Sequence, residues 1–340
     1  MSRSLVILGG GPAGLAVAHY AARDGVPVTL FERADHVGGL CRTFQWGSHR
    51  YDAGAHRFHD QDPQATADAR ALLGDRLVTV DAPSRIYDGR RFIDFPPTPL
   101  GMLFSGGVGQ MGAIGRDLVR GRRSTRPAVS FADFAIGQFG ETLARRFLLH
   151  YSEKLWGLPA DQLSPDVATR RLSGMTLRSL LIELVTPRRK ATHIDGRFLY
   201  PLDGYGELPD ALAASLPPSS VRTGHEVTGF DIHDGRITRV LLAGRAAAEV
   251  GDRLVSTLPL TVLVRLLGAT VPESARRAAE SLRFRSVRLV VLRLGCPRVS
   301  SRASLYVPDP RLCVARVSEP KNRSARMAPA DETTLVAEVP

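Results

Sequence analysis

The amino-acid sequence predicts an α/β protein: a Rossmann-like, dinucleotide-binding domain interleaved with a second domain of helices and mixed or antiparallel sheet. Three observations predict it. The apolar strand Leu5–Leu8 runs directly into Gly9-x-Gly11-x-x-Gly14. A helix-period segment to about Asp24 and a second apolar strand, Val28–Phe31, then end at an acid, Glu32. Far downstream, residues 225–242 alternate like paired strands, and residues 251–267 read as a strand and crossover that complete the first domain.

Each position in the opening unit has a physical job. Gly9 permits a tight strand-to-helix turn, and Gly11 lets the backbone approach a pyrophosphate. Gly14, on one helical face with Ala18 and Ala21, allows close packing on the sheet. The helix N-terminus, entered through Pro12 and Ala13, offers N–H groups and a positive dipole end to phosphates. Glu32 stands where an acid can accept from the ribose hydroxyls of an adenosine, which disfavours a 2′-phosphate, although Arg33 lies alongside.

Composition bounds the function. The chain has 340 residues, 44% hydrophobic and 23% charged, enough for a full-sized core. Its net charge of +11 comes almost wholly from arginine, since Lys154, Lys190 and Lys321 are the only lysines among 45 basic residues. That skew reads as coding bias. The basic runs at 120–126 and 188–190 lack the interleaved aromatics of a nucleic-acid platform. An anionic substrate would use the same surplus locally. Cys41, Cys296 and Cys313 form neither a C-x-x-C nor an even set, so neither zinc nor a disulfide framework is expected. No leader-like segment precedes the first strand, and no apolar run approaches the roughly 18 residues of a membrane span. The expectation is a cytoplasmic protein. Residues 99–123, apolar and then basic, read as a buried helix and exposed loop in preference to a peripheral bilayer contact. The oligomeric state is not legible.

A second motif follows at once. "ERADHVGGLCRTF" carries Gly38-Gly39 and Arg42, and "YDAGAHRFHD" carries Asp52, Gly54, His56 and Phe58. With the opening unit, these resemble the flavoprotein superfamily of amine oxidases, protoporphyrinogen oxidases, carotenoid desaturases and UDP-galactopyranose mutases. The resemblance implies FAD as cofactor in a glutathione-reductase/amine-oxidase type domain. Carried over, Gly9, Gly11, Pro12, Ala13, Gly14, Glu32, Arg33, Gly39, Leu40 and Arg42 contact FAD. Gly54, Ala55, His56, Arg57 and Phe58 lie against the isoalloxazine ring, and the backbone of Val227 holds the adenine. Three histidines at 49, 56 and 59 invite a metal reading, but no second cluster supports it; His49 and His59 read as hydrogen-bonded loop residues.

Further motifs extend the resemblance. Residues 84–99 read as a hairpin, Arg85–Tyr87 and Arg91–Phe95, leaving the first domain at Pro96-Pro97. An apolar stripe from Phe131 through Ile136 and Phe139 to Leu148 reads as helical core. Tyr151-x-x-Lys154-x-Trp156-Gly157 and Arg316-x-x-Glu319-x-Lys321 resemble mutase motifs, in which the tryptophan borders the nucleotide-sugar and the arginine binds its diphosphate. "FLYPLDGYGELPDAL" resembles the segment returning to the flavin domain. Arg171 is kept where the mutases have a second arginine motif, but that motif ends here in Met175. The family pattern also continues beyond "TLVAEVP" to a flavin-facing Gly-Arg segment.

The expected layout is an FAD-binding domain at 1–95 and 196–268, and a C-terminally incomplete substrate domain at 96–195 and 269–340. The catalytic candidates are His56, Trp156 and Arg316, with no metal. The first function expected is FAD-dependent oxidation of a small organic substrate by hydride transfer. A flavin-dependent mutase acting on a nucleotide-sugar is the alternative, and a truncated, non-catalytic remnant is the third reading.

Overall fold

Strand β1 (Leu5–Leu8), helix α1 (Pro12–Arg23) and strand β2 (Val28–Phe31) form where the glycine spacing predicts them. The computed structural model describes residues 4–95, 109, 112–117, 128–169 and 197–340. They divide into two units: Met1–Trp46, Arg50–Val78 and Tyr200–Phe284 in the first, and Gly47–His49, Thr79–Leu199 and Arg285–Pro340 in the second.

In the first unit, a four-stranded parallel sheet runs in the order Arg253–Ser256, β1, β2, Val221–Arg222. All four residues of β1 are buried, because both faces of the strand are covered. Leu5 and Ile7 pack with Leu15 and Ala18 of α1. Val6 and Leu8 face the other way, onto Phe31, Val240 and Leu242. The last two belong to an antiparallel sheet of Val227–His233, Arg236–Leu242 and Ala248–Glu249. Ile7 and Leu8 are fully buried, each worth about 1.5–3 kcal/mol of transfer free energy.

The second unit is built on a six-stranded sheet ordered Arg288–Leu294, Thr333–Val339, Arg316–Ser318, Leu305–Tyr306, Ser84–Tyr87, Phe92–Phe95. Its pairs are antiparallel except Leu305–Tyr306 with Ser84–Tyr87. The predicted hairpin is there, and Asp88 holds its turn by accepting from the amides of Arg90 and Arg91 at 3.0 and 2.8 Å. A helix at Phe131–Phe139 starts in a capping box of Ser130 and Asp133. Phe131, Ala135, Ala144, Leu149, Ala160 and Leu163 form its core.

The stripe is helical core as expected, though divided, and the expectation for His49 is corrected. The apolar period runs unbroken through 131–148, but the helix stops at Phe139. Gly140, at φ +79°, turns the chain before it re-enters as a helical turn, Glu141–Leu143, a π-helical stretch, Ala144–Leu149, and a helix, His150–Trp156. His49 is not a loop residue. It opens strand β4 (His49–Asp52), which pairs with β3 (Thr43–Trp46), and it is fully buried, with Nε2 2.9 Å from a carboxylate oxygen of Glu332. Pro96-Pro97, most of 99–123, the basic runs at 120–126 and 188–190, Arg171 and Met175 lie outside the described residues. Among the described residues no helix is long and apolar enough to cross a membrane.

Candidate functional site

The glycine-rich turn after β1 is shaped by its neighbours. Gly9 takes φ +103°, and Gly14 comes so close that a Cβ there would stand 2.0 Å from the carbonyl oxygen of Gly9. Thr257 locks the turn from the adjacent strand end. Its hydroxyl donates to the carbonyls of Leu8 and Gly9 at 2.9 and 3.2 Å. Gly11 is the N-cap of α1, with Pro12 as the first helical residue and no capping side chain. Among the described residues, a Cβ at Gly11 would meet nothing within 4 Å. Open space thus lies directly over a helix N-terminus whose amides no side chain caps, the donor set an anionic pyrophosphate needs.

Glu32 does more than the sequence predicts. Its two carboxylate oxygens accept from the amides of Gly10 and Ala34, at 2.7 and 2.8 Å. It therefore clamps the glycine turn to the end of β2, and each oxygen keeps a further lone pair for a ribose hydroxyl. Arg33 beside it is exposed. Gly38 donates to the carbonyl of Gly10 at 2.8 Å, and a Cβ on Gly39 would lie 3.3 Å from the Cα of Gly11. The second glycine pair is thus laid against the first. Leu40 next to it is 82% exposed, and the Arg42 guanidinium stacks over Phe44.

A third layer meets these two. Buried Asp52 accepts from the Thr43 hydroxyl (2.7 Å), the Tyr200 hydroxyl (2.5 Å) and the Tyr205 amide (3.0 Å). Thr43 in turn accepts from the amide of Gly206 at 2.8 Å. Cβ atoms at Gly204 or Gly206 would collide with Thr43 at 2.3 and 2.7 Å, so the Gly-Tyr-Gly turn fits only as glycines. His56 stacks on the Tyr205 ring, centroids 5.0 Å apart, and its Nε2 lies 2.8 Å from the carbonyl of Leu40. Burial, with Asp52 adding to it, pushes the Cys41 thiol up, which keeps it protonated at neutral pH. The segments carrying Gly9–Gly14, Gly38–Arg42 and Asp52–Phe58 are thereby brought into one cradle, with Gly54, Ala55, Arg57 and Phe58 half-buried along it. Val227 opens its own strand, paired with Leu242. The residues present fit an FAD: an open pocket floor at Gly11, uncapped amides, and an acid at the tip of β2. Thr43 and Thr257 are not signalled by the sequence, and Tyr200 and Tyr205 lie in the segment that resembles the return to the flavin domain without being singled out there.

The second unit treats its motif residues differently. Trp156 is 49% exposed at the end of its helix. Lys154 donates to the carbonyls of Val307, Asp309 and Val314 at 2.7–3.0 Å, and burial lowers its pKa. Lys321 donates to the carbonyls of Pro329, Ala330 and Glu332. Glu319, almost fully buried, accepts from the amides of Val299 and Ser300 and from Thr333. Arg316 forms a two-pronged pair with Glu338, at 2.9 and 2.8 Å. Around it, Tyr306 contacts both Phe95 and Tyr151, with ring centroids 5.1 and 5.8 Å apart.

A family model described as "Flavin containing amine oxidoreductase" matches residues 12–303. Coproporphyrinogen III oxidase of Mycobacterium leprae is 28% identical over 320 residues, 87% of this chain and 68% of that protein. The Mycobacterium bovis enzyme of the same name is 32% identical over 300 residues, 82% and 64% respectively. The chain thus spans about two thirds of the length of these relatives. Among solved structures, reduced UDP-galactopyranose mutase superposes with a TM-score of 0.85 at 22% identity, covering 99% of this chain and 74% of that one. A putative protoporphyrinogen oxidase from Exiguobacterium gives 0.75, also at 22% identity, with 100% and 77% coverage. These likenesses show the shared fold. With the glycine cradle and its acid at the tip of β2, the match over most of the sequence makes this chain a member of the flavin-containing amine oxidoreductase family, FAD-dependent in class.

Proposed function

We propose that the first unit holds FAD, with the ADP half over Gly9–Gly14 and Glu32 and the flavin along Gly54–Phe58, and that the second unit carries the substrate domain. Bound FAD supplies the hydride acceptor, and O2 or another oxidant takes the electrons onward. The chain's own residues orient and exclude water: Glu32 and Gly39 close the pyrophosphate turn, and His56 and Tyr205 pack beside the ring. The substrate class in this reading is a reduced tetrapyrrole, such as the coproporphyrinogen III named for the mycobacterial relatives.

One observation carries this choice over the mutase. Arg316, the residue that would receive a sugar diphosphate, already has its guanidinium matched by Glu338, among the rings of Tyr306, Tyr151 and Phe95. An arginine already paired with a carboxylate beside aromatic side chains has little charge left for a diphosphate, and supports a ring-bearing organic substrate better than a nucleotide diphosphate. A cytoplasmic location belongs to the same reading. The test is aerobic oxidation of coproporphyrinogen III by the FAD-loaded chain, followed by porphyrin fluorescence. Turnover of UDP-galactopyranose under dithionite, with no porphyrin formed in air, overturns the oxidase in favour of the mutase. A chain that takes up no FAD and turns over neither substrate supports the remnant.

A further inference from the structure

Resting on the flavin-facing reading of residues 54–58, we infer that Tyr205 is a positioning residue that holds His56 in its Nε2–H tautomer, leaving Nδ1 as the only nitrogen able to accept a proton or a hydrogen bond. A carbonyl oxygen has no proton to give. The 2.8 Å contact between His56 Nε2 and the carbonyl of Leu40 therefore requires the proton on Nε2. In neutral imidazole the lone pair then sits on Nδ1.

The ring plane is fixed by Tyr205, stacked at 5.0 Å with the planes 27° apart. The Tyr205 backbone is fixed on both sides, and its ring also meets that of Tyr200, centroids 6.3 Å apart. Its amide is held by Asp52, and the glycines on either side are wedged against Thr43. Burial, followed by the nearby Cys41 and Asp52, pushes the Tyr205 hydroxyl up to about 12, so the stacking partner is a neutral phenol across the working pH range. Because Leu40 belongs to the Gly38–Arg42 segment, the same contact ties two walls of the cradle together. Any proton that His56 takes or gives passes through Nδ1.

The experiment is a long-range proton–nitrogen NMR correlation on 15N-histidine-labelled chain, before and after FAD addition, with His56→Gln identifying the signals. The expected spectrum has a pyrrole-like Nε2 and a pyridine-like Nδ1 for His56. Tyr205→Phe, which keeps the ring, should reproduce it. Tyr205→Leu should give tautomer-averaged nitrogens and weaken FAD roughly 2- to 10-fold, the scale of a lost ring pair. Tyr205→Met serves if the leucine variant lacks the native circular dichroism. A proton on Nδ1 in the parent chain, or an unchanged His56 pattern in both ring-deleted variants, overturns the inference. Absence of FAD binding would sink the cofactor reading instead, while the tautomer stays readable on the FAD-free chain.

Discussion

The two motif-bearing regions use their polar groups in opposite ways. Around Gly9–Gly14 the fold arranges donors and leaves them open: the cap of α1 carries no side chain, and none of the described residues stands over Gly11. Around Arg316–Lys321 the fold turns charge on charge and donor on carbonyl until little is left over. The first pattern is what the proposed FAD site needs. The second is a scaffold whose residues resemble a binding motif. The difference teaches that the same residue types at the expected spacing are evidence of function only when their hydrogen-bonding capacity is not consumed by the fold.

That contrast can be broken most forcefully at Lys321. Lys321→Met strips the ammonium from three carbonyls and should cost about 3 kcal/mol or more, measured by urea unfolding. A neutral result would show that the ammonium is not structural. Gly14→Ala comes next: a methyl 2.0 Å from the Gly9 carbonyl forces the turn apart, lowering stability by about 1–3 kcal/mol and abolishing FAD uptake together. Arg316→Ala removes the two-pronged partner of Glu338 and should cost about 1.5–3 kcal/mol of stability. UDP affinity should not change, whereas a 10- to 100-fold loss is what a diphosphate-binding arginine would show.

The smallest effect is acid sensitivity of the second unit. Asp309 is held down to about 2 by hydrogen bonds from Arg311, below its ordinary value of 3.8. A depressed carboxylate contributes stability above its unfolded pKa and loses it as pH falls through its folded one. Its contribution is thus complete above roughly pH 4–5 and gone near pH 2. Thermal melts across that window should slope less in Arg311→Ala than in the parent chain.

Much of the first unit was legible in the sequence because its signals are local. Strand, glycine turn, helix, strand and acid follow one another within 28 residues of Leu5. The Asp52–Thr43–Tyr205 knot was not legible, since Tyr205 is 153 positions from Asp52 and only folding brings them together. His49 misled for a related reason: beside two other histidines it reads as a loop residue, yet its partner, Glu332, lies at the far end of the sequence. The break at Gly140 was hidden because apolar period persists through a π-helical stretch that a 3.6-residue template does not distinguish.

In the proposed reading, the space over Gly11 is kept open for a ligand and not for the fold. Gly11→Ala tests it, since Gly11 has φ −74° and ψ 175°, which alanine adopts without strain, and its Cβ would touch no atom of the described residues. The FAD-free variant should unfold at the same urea midpoint as the parent, within about 0.5 kcal/mol. Its FAD affinity should fall at least roughly tenfold, the cost of displacing a pyrophosphate from amides it would otherwise reach. Unchanged FAD affinity, or destabilisation of the FAD-free chain, would contradict the account.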